Sequence, residues 1–363
     1  MTKKVMSIMG TRPEMIKMWS VIQKLDKSKF KHILVHTGQN YTPELKDFFF
    51  KDLKLRQPDY NLSINVSSYG SEVADVIKKS DELFEKEQPD ILLILGDTYS
   101  GLSVMPAANK GIKIFHMEAG LRAFDKRMPE QRNRILIDHM SDILLPFHKH
   151  HRENLINEGI HPSKIIITGN PTFEVMSAFQ KEIKRSQILE SLDLESKEYI
   201  PVTLHRSENV DDPKILQKII SALGDIYKKL NKKIIYPMHP RTRSKIKNIR
   251  IPEGVSIIKP LGFYDFNALS MNAFCLMGDS GTTPEEGLYY NVPCVSLRQT
   301  TERYETLESG AHIVAGVESD NIVDAVETIT SLPWGARYDF NENGFLPSNV
   351  VINSIASNIN NYF

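Results

Sequence analysis

The stretch DILLILGDTYS, residues 90–100, decides the fold because it joins a continuous apolar run to a polar end. Apolar runs of this length that alternate with helical patterns are typical of parallel strands with helices on both faces. Gly96 and Asp97 end the run. We therefore predict a buried parallel strand that leaves a glycine turn and a carboxylate at its carboxyl end.

Similar runs recur along the chain between longer amphipathic stretches. In the first part they are KVMSIMG, KHILVHTG, IKIFHME and DILLPF, and in the second part KIIITGN, YIPVTLH, KIIYPMHP, VSIIKPLG, AFCLMGDS and PCVSLRQT. Candidate helices at 213–229, 265–272 and 284–290 separate the later runs. This rhythm predicts an α/β fold of two Rossmann-like, doubly wound lobes that face a central cleft.

A chain of 363 residues is expected to form about two domains, since a domain usually has roughly 100–200 residues. We place an N-terminal Rossmann-like lobe at 1–172 and a C-terminal Rossmann-like lobe at 173–345, with no low-complexity linker between them. The last stretch, 346–363, has helical spacing. We expect it to form a C-terminal helix that returns towards the N-terminal lobe and packs across the lobes.

Charge and cysteine content exclude several classes of partner. The 45 basic and 45 acidic residues give a formal net charge of zero, so no overall field favours nucleic acid or an anionic membrane. Cys275 and Cys294 both lie in apolar, strand-like runs, which favours buried free thiols in a reducing compartment. Arg12 and Glu14 interrupt the first apolar stretch before it reaches signal-peptide length, and no run approaches the ~20 apolar residues of a membrane helix. We therefore expect a cytoplasmic protein.

The residues that follow the predicted strands are nearly all polar, charged or glycine. In open α/β sheets, ligands bind at the carboxyl ends of the strands, so these residues are the first candidates for a site. They are Gly10-Thr11-Arg12, Thr37-Gly38-Gln39, Gly96-Asp97-Thr98, Glu118-Ala119-Gly120, His205-Arg206, His239-Pro240 and Asp279-Ser280-Gly281.

Three acids in the first part are candidates for proton transfer. Asp97 and Glu118 end neighbouring runs, and although a single acid of this kind commonly caps a helix, two together favour a site. Glu130 follows Pro129, which fits the first position of a helix, so the helix dipole would keep the carboxylate ionised. The alternative for Glu130 is an i,i+4 ion pair with Arg134, worth only about 0.2–0.5 kcal/mol.

Basic side chains flank these acids along the chain. In MGTRPEMIKM, Arg12 follows a glycine turn at a predicted helix start, which suits a diphosphate because N–H groups, the dipole and a guanidinium all favour negative charge. Arg12 and Lys17 could equally be solvated charges on a helix face. His205 and Arg206, together at a strand end, favour contact with an anion. The run HKHH, 148–151, lacks the carboxylate or cysteine pattern of a metal site and favours a solvated helix start.

The stretch GDSGTTPEEG, residues 278–287, places a turn of small residues after an apolar run and then a helix-start signal. Thr283 and Glu286, three residues apart with a proline between them, match a capping box. On that interpretation the only role of the Glu286 carboxylate is to cap the start of the helix by a hydrogen bond.

These segments, taken together and in order, resemble the non-hydrolysing UDP-N-acetylglucosamine 2-epimerase family. The match runs through GTRPEMIKM, GDT, MEAGLR, PEQRNR, GNP, TLHRSEN, DSGTTPEEG and TTERYE. The resemblance implies a glycosyltransferase-B type fold, a homodimer, and interconversion of UDP-N-acetylglucosamine and UDP-N-acetylmannosamine with no metal or other cofactor. The implied route eliminates UDP to give 2-acetamidoglucal, protonates carbon 2 on the other face and adds UDP back.

The resemblance also implies roles for individual residues. Position by position, the acid/base carboxylates are Asp97, Glu118 and Glu130; other active-site groups are Arg12, Lys17 and His205; and nucleotide-sugar contacts are Ser280, Gly281, Glu286 and Arg303. We add Arg206 to the substrate contacts because it adjoins His205. Under this hypothesis the turn at Ser280 and Gly281 holds the diphosphate, and Glu286 accepts the ribose hydroxyls instead of capping Thr283.

Some positions depart from the better-known bacterial form of the family. Gln39, Asn40 and Tyr41 differ from it near the segment where that form binds a second, activating substrate, so we expect no such activation here. FDKRMPEQRNR and MHPRTR are closer to the capsule and O-antigen branch, which makes conversion of UDP-2-acetamido-2,6-dideoxy-L-talose to UDP-N-acetyl-L-fucosamine an alternative. The sequence also leaves open a glycosyltransferase of the same fold, a hydrolysing epimerase and a nucleotide-sugar sensor.

Overall fold

The structure is a computed structural model that describes residues 2–38, 52–238, 240–246, 249–332 and 346–359. The candidate positions Gln39, Asn40, Tyr41 and His239 lie outside these ranges. The chain divides into two compact units. Unit 1 comprises Met1–Ala178 and Phe340–Phe363, and unit 2 comprises Phe179–Asp339.

Each unit is built on a parallel sheet, and within the described ranges each sheet has six strands. The strands of unit 1 are β1 Lys4–Met9, β2 Lys31–His36, β3 Tyr60–Asn61, β4 Ile91–Leu95, β5 Lys113–Met117 and β6 Ile143–Leu145. Those of unit 2 are β7 Tyr199–Thr203, β8 Lys233–Pro237, β9 Val255–Ile258, β10 Leu276–Gly278, β11 Cys294–Ser296 and β12 His312–Val314. Sheet order is β3-β2-β1-β4-β5-β6 in unit 1 and β9-β8-β7-β10-β11-β12 in unit 2. Both orders are those of a doubly wound sheet, the fold class that the apolar runs predict.

Helices connect the strands. In chain order they are α1 Arg12–Asp26, α2 Tyr69–Glu87, α3 Val104–Asn109, α4 Pro129–Met140, α5 Lys149–Asn157, α6 Pro171–Ala178, α7 Gln180–Lys184, α8 Ile188–Ser191, α9 Ser207–Val210, α10 Pro213–Leu230, α11 Pro240–Lys245, α12 Phe263–Met271, α13 Thr283–Tyr290, α14 Tyr304–Glu308, α15 Ser319–Ser331 and α16 Pro347–Asn358. Short 3₁₀ turns occupy Tyr99–Ser103 and Pro162–Lys164. The described helices are each too short or too polar to span a lipid bilayer.

The strand register of unit 1 brings the strand ends to one edge of the sheet. All five residues of β4 are buried, as the apolar run predicts. Leu95 of β4 pairs with Met117 of β5, so the residues that follow these strands start level with each other. β1 lies on the other side of β4. From β1 to β3 successive strands are added in one direction along the sheet, and from β4 to β6 they are added in the opposite direction. Ligands of doubly wound sheets bind at this change of direction.

Unit 2 repeats the arrangement around β7 and β10. Gly278 pairs with Thr203 at the carboxyl ends of these strands. A Cβ atom on Gly278 would lie 2.2 Å from the Thr203 hydroxyl oxygen and 2.8 Å from its carbonyl oxygen. Only glycine therefore fits at this point, which brings the turn at 279–281 close to the end of β7.

One predicted strand is wrong. The run KIIITGN, residues 164–170, belongs to unit 1 and forms no full strand there. Ile165 makes one parallel bridge to Leu144 of β6, and the backbone nitrogens of Ile166 and Thr168 donate to Leu144 and Pro146, both at 2.9 Å. The run follows the sheet edge without completing a strand, so an apolar composition was insufficient to predict one.

The C-terminal helix α16 is fixed within unit 1 by the half-buried Glu174. Both carboxylate oxygens of Glu174 accept hydrogen bonds from Ser348, one from its backbone nitrogen at 3.0 Å and one from its hydroxyl at 2.5 Å. Lys24 of α1 donates to Asn349 at 2.6 Å and lies 3.4 Å from Glu174. The start of α16 is thereby attached to both α1 and α6.

Candidate active site

Arg134 of α4 links the two strand-end acids of unit 1. Its Nη2 atom donates a hydrogen bond to Oδ2 of Asp97 and lies 3.2 Å from Oε1 of Glu118. Its Nη1 atom donates to the backbone oxygen of Glu118 at 2.5 Å. Arg134 and Glu118 are buried, whereas Asp97 is partly exposed. Arg134 therefore binds both acids from a buried position. The alternative from the sequence was an ion pair with Glu130 on the exposed face of the helix.

Lys17 contacts the remaining oxygen of Glu118. Its Nζ atom donates to Oε2, and both side chains are almost completely buried. Lys17 is therefore a core cation and not a solvated charge on a helix face. Each oxygen of the Glu118 carboxylate now faces a cation, which favours the ionised form.

The backbone of Glu118 is held in an uncommon conformation. Its φ of +63° lies in the left-handed region, which few residues other than glycine adopt. The backbone nitrogen donates to Leu145 of β6 at 3.1 Å, and Arg134 binds the carbonyl oxygen. Such strain persists only where surrounding contacts enforce it, and it occurs often at functional sites.

Glu14 is a central residue of unit 1 that was absent from the predicted site. Its Oε2 accepts hydrogen bonds from the backbone nitrogens of Gly10 and Thr11 at 2.8 and 2.6 Å. Its Oε1 accepts from the hydroxyls of Thr98 and Ser100, both at 2.7 Å. Burial raises the pKa of Glu14, although these hydrogen bonds act in the opposite direction. Glu14 thus joins the turn after β1 to the turn that carries Asp97; the signal for it was the spacing of Thr11 and Glu14 at a helix start.

Glu130 and Arg12 lie in the first turns of their helices. Helix α4 begins at Pro129, as predicted, which makes the half-buried Glu130 its second residue. Burial raises the pKa of Tyr99, and the negative charges of Glu72 and Glu130 add to this shift. The charge of Glu130 therefore acts on Tyr99, which stands two positions after Asp97. Arg12 is the first residue of α1 and is half-buried.

Asp279 organises the strand ends of unit 2. The carboxylate is fully buried and accepts hydrogen bonds from the backbone nitrogens of His205 and Arg206 at 3.0–3.1 Å. It also accepts from the Asn209 side chain at 3.1 Å and pairs with Nδ1 of His205 at 3.2 Å. Arg206 Nε donates to the backbone oxygen of Asp279 at 2.8 Å. Asp279 therefore fixes the positions of His205 and Arg206. The sequence feature that could have identified it is an acid at a strand end, as for Asp97.

Three guanidinium groups surround a second acid in unit 2. Burial acts to raise the pKa of Glu302, but the charges of Arg298, Arg303 and Arg206 outweigh it and hold this pKa well below its usual range. Arg298 pairs with Glu302 at 2.7 Å, and Oε1 of Glu302 would lie 3.1 Å from a Cβ atom on Gly281. Three cations beside the turn at 279–281 can bind a doubly charged phosphate group.

Arg303 and Glu286 lie at the same turn. Arg303 is buried, pairs with Glu285 at 3.1 Å and donates to the backbone oxygen of Gly281 at 3.4 Å. Helix α13 begins at Thr283 with Thr282 as its N-cap residue, and the Thr282 side chain makes no capping hydrogen bond. The interpretation of Thr283 and Glu286 as a capping box is therefore wrong. Ser280 bonds to Thr282 at 3.0 Å within the turn.

A buried histidine supports the turn of Arg303. His312 contacts the Ser296 hydroxyl with Nε2 at 2.7 Å and the Thr306 hydroxyl with Nδ1 at 2.8 Å. Thr306 in turn donates to the backbone oxygen of Arg303 at 2.7 Å. Since that bond uses the Thr306 proton, Nδ1 of His312 is the donor and Nε2 accepts from Ser296. Burial, with the charge of Arg298, lowers the pKa of His312 to about 4.

This lowered pKa predicts a loss of stability in mild acid. The unfolded chain takes up the His312 proton near the usual pKa of 6.5, before the folded chain does, so the contribution is fully present above pH 6.5 and is lost as the pH falls towards 4. Between pH 7 and pH 5 it should remove about 2 kcal/mol from the free energy of unfolding. Denaturant titrations at the two pH values measure this. His312→Gln should show a weaker pH dependence, and equal dependence in both proteins would contradict the assignment.

The histidines of HKHH do not form a metal site. Within the described ranges, no group of three or more His, Cys, Asp or Glu side chains could hold a metal ion. His148 is the N-cap residue of α5, which confirms a helix start. His148 and His151 are buried, so the prediction that this start is solvated is wrong for both of them.

Two units of this kind, each with polar groups at the carboxyl edge of a doubly wound sheet, define an α/β protein of the glycosyltransferase-B type. A lipopolysaccharide outer core galactosyltransferase shares this fold at 14% identity, with a TM-score of 0.55 over 97% of this chain and 99% of that one. The chain belongs to the UDP-N-acetylglucosamine 2-epimerase family, whose sequence profile matches residues 23–342. The fold and the family predicted from the sequence are both confirmed.

Two relatives show how far the similarity extends. A UDP-N-acetylglucosamine 2-epimerase of Methanococcus maripaludis is 39% identical over 361 aligned residues, which cover 96% of this chain and 98% of that protein. The crystal structure of the Methanocaldococcus jannaschii UDP-GlcNAc 2-epimerase in complex with UDP-GlcNAc and UDP is 33% identical, with a TM-score of 0.90. That comparison covers 98% of this chain and 99% of the crystallised one.

Proposed function

We propose that this protein interconverts UDP-N-acetylglucosamine and UDP-N-acetylmannosamine by eliminating UDP and adding it back. The observation that carries the proposal is the cluster of Asp97, Glu118, Lys17 and Arg134 at the carboxyl edge of the unit 1 sheet, in a chain whose relatives are named as epimerases of this sugar. A glycosyltransferase of the same fold has no need for several acids that share cations.

The chemistry explains the need for such a cluster. No carbonyl group lies next to carbon 2, so its hydrogen is too weakly acidic for direct removal. In the proposed route the bond between carbon 1 and the UDP oxygen breaks, and a carboxylate takes the proton from carbon 2. A carbon 1–carbon 2 double bond forms, and the product is 2-acetamidoglucal. A second carboxylate then delivers a proton to the opposite face, and UDP returns to carbon 1.

We assign the proton transfers at carbon 2 to Asp97 and Glu130. Asp97 is partly exposed, and its Oδ1 accepts no hydrogen bond from the described residues, while Oδ2 faces Arg134. Glu130 is half-buried in the first turn of α4. Glu118 is bound by Lys17 on one oxygen and Arg134 on the other, so its proposed role is to hold these two cations where negative charge develops. This division follows from which carboxylates are available to a substrate.

We assign the binding of the UDP part to unit 2. Arg206 and Arg303, with the turn at Ser280 and Gly281, supply cations and backbone groups for the diphosphate. His205, whose side chain is 53% exposed, is the proposed contact of the departing phosphate oxygen. The proposed partner of the ribose hydroxyls is Glu286, which does not stand at the capping position of α13 because the N-cap residue is Thr282. Arg12, at the start of α1, is the proposed diphosphate contact of unit 1.

Turnover in deuterium oxide tests the proposed function. With UDP-N-acetylglucosamine and no acceptor, we expect UDP-N-acetylmannosamine that carries deuterium at carbon 2, because the removed proton exchanges with solvent. Nuclear magnetic resonance of the product measures both the configuration and the label. Unlabelled product would rule out the proton-exchange route, free N-acetylmannosamine would indicate a hydrolysing epimerase, and no conversion would point to a transferase or sensor. UDP-2-acetamido-2,6-dideoxy-L-talose, offered separately, tests the alternative substrate.

We also propose that the protein is a cytoplasmic homodimer that supplies amino sugars for cell-surface polysaccharide. Exposed apolar side chains in unit 1 support self-association: Phe124 is 68% exposed, and Ile135 and Leu136 of α4 are 36% and 37% exposed. Cys275 and Cys294 are buried free thiols, which agrees with a reducing compartment. Light scattering of the purified protein measures the mass in solution, and a monomer would refute the dimer.

A further inference from the structure

His116 of β5 lies directly behind the turn that presents Asp97. The side chain is fully buried, and its Nε2 atom is 2.7 Å from the backbone oxygen of Gly96. That oxygen belongs to the peptide group whose nitrogen is the backbone nitrogen of Asp97. A contact at this oxygen therefore fixes the orientation of the peptide from which the Asp97 side chain begins.

The other ring nitrogen contacts Asp138 of α4. Nδ1 of His116 is 2.7 Å from Oδ1 of Asp138, which is also fully buried. The second oxygen of Asp138 pairs with the Arg122 guanidinium at 2.8 Å and accepts from the Gly120 backbone nitrogen at 3.1 Å, contacts that favour an ionised carboxylate. An ionised carboxylate and a backbone oxygen can only accept hydrogen bonds. Both nitrogens of His116 must then donate, and the ring is an imidazolium.

The second oxygen of Asp138 reaches the turn after Glu118. It accepts a hydrogen bond from the backbone nitrogen of Gly120 at 3.1 Å and pairs with Arg122 at 2.8 Å. Gly120 has a φ of +77°, and a Cβ atom there would lie 2.2 Å from the backbone oxygen of His151. Only glycine therefore fits at this position, and Asp138 holds the turn from inside the protein.

Charges of both signs lie around the pair, and Glu158 is the half-buried one among them. His116 and Arg122 are positive, and Asp138 and Glu158 are negative. Arg122 binds Glu158 through Nε at 2.7 Å and Nη2 at 2.6 Å. Because each charge has a partner, the ion pair of His116 and Asp138 is stable without solvent, whereas removal of either member would leave the other uncompensated.

We propose that His116 and Asp138 form an ion pair that positions Asp97 and Glu118 for proton transfer, acting through the backbone on both turns at once. The proposal rests on the proposed function for its effect on turnover, but not for the charge state of the pair. Neither residue touches substrate, so both are positioning residues. His116 contacts the backbone oxygen of Gly96, next to Asp97, and Asp138 accepts from the backbone nitrogen of Gly120, two positions after Glu118. The contact between His116 and Asp138 joins the two turns, and Arg122 also binds Asp138.

The variants His116→Gln and Asp138→Asn, with the double variant, test this pair. Each removes the ion pair, so we expect kcat to fall about 10- to 100-fold while KM changes less than about threefold, since small misplacements of reacting groups mainly affect the chemical step. The double variant should be no worse than the more damaged single variant. Independent, multiplying losses would overturn the pairing.

A second histidine–aspartate contact in unit 1, between the buried side chain of His32 and the partly exposed Asp26, supplies the control. His32 contacts Asp26 at 2.6 Å and Ser7 at 3.0 Å, at the amino end of β2 and away from the strand-end acids. His32→Gln removes a similar histidine–aspartate contact from the same unit, and kcat should stay within about twofold of wild type. An equal loss of kcat in His32→Gln and His116→Gln would mean that both act only through stability, and would overturn the positioning role.

Nuclear magnetic resonance tests the pair without activity. In the ¹⁵N-histidine spectrum of the wild type, the signals lost in His116→Gln should come from a ring with a proton on each nitrogen. The backbone amide signal of Asp97 should move in Asp138→Asn and stay fixed in His32→Gln. A neutral His116 ring, or an Asp97 signal that does not move in Asp138→Asn, would overturn the proposal. A wild type that converts no UDP-amino sugar would refute the proposed function but leave these two spectral outcomes decisive.

Discussion

The Asp97→Asn variant is expected to lose at least about 1,000-fold in kcat for the epimerisation, because an amide cannot take up the carbon 2 proton. General acid–base catalysis typically contributes between about 100- and 10,000-fold, and here the same group is proposed to act in both directions of the reaction. The amide oxygen of asparagine still accepts a hydrogen bond from Arg134, so the contact to Oδ2 survives in part. Initial rates at saturating UDP-N-acetylglucosamine measure the loss.

A surface acid provides the control for this variant. Asp81 of α2 is about half exposed and pairs with Lys110 at 3.2 Å, a type of ion pair that contributes little to stability. Asp81→Asn should retain wild-type kcat, and the affinity of Asp97→Asn for UDP alone should be unchanged because the proposed UDP contacts lie mainly in unit 2. An Asp97→Asn variant that keeps more than a tenth of the wild-type kcat would exclude Asp97 as the proton-transfer group.

The strands and long helices were predictable because local composition determines them. The run 91–95 had no polar residue, and it is β4, Ile91–Leu95. The candidate helix at 213–229 is α10, Pro213–Leu230. Asp212 caps its start by accepting from the Lys214 backbone nitrogen at 2.8 Å, and Asn231 ends it in the left-handed conformation. Both ends carry residues with strong preferences for those positions.

The contacts of the site were less predictable because they join residues far apart in the chain. The spacing of Glu130 and Arg134 suggested a local helix pair, yet Arg134 reaches Asp97 and Glu118, which follow two neighbouring strands. Lys17 meets Glu118 across 101 positions of the chain. A sequence pattern shows which residues end the strands, but sheet order decides which of them meet, and that order came only from the structure.

Buried polar residues were the least predictable. His148 and His151 stand in a run of four polar residues, which suggested solvent, and the fold buries both. Glu14 interrupts an apolar stretch and nevertheless accepts four hydrogen bonds in the interior. A polar side chain is buried when several donors converge on it. The donors of Glu14 come from two separate turns, so its burial depends on tertiary structure that a local pattern does not contain.

Replacing Arg134 should reduce both stability and activity, because one guanidinium serves three acceptors. Arg134→Met keeps an unbranched stem but removes the guanidinium, so Asp97 and Glu118 lose that cation. Breaking a buried ion pair in this way typically costs about 3–5 kcal/mol. We also expect kcat to fall at least about 100-fold, since the two carboxylates would repel each other and shift. Denaturant titrations and initial rates measure the two losses separately.

Arg134→Lys separates the charge of Arg134 from its geometry. An ammonium group restores a positive charge but cannot bind Oδ2 of Asp97, Oε1 of Glu118 and the Glu118 carbonyl with the fixed fork of a guanidinium. Stability should therefore recover more than kcat does. Arg132, exposed on the same helix, is the control position, and Arg132→Met should leave both quantities near wild type. If Arg134→Lys instead restored kcat fully, charge alone would suffice, and the guanidinium would not be what holds the two acids together.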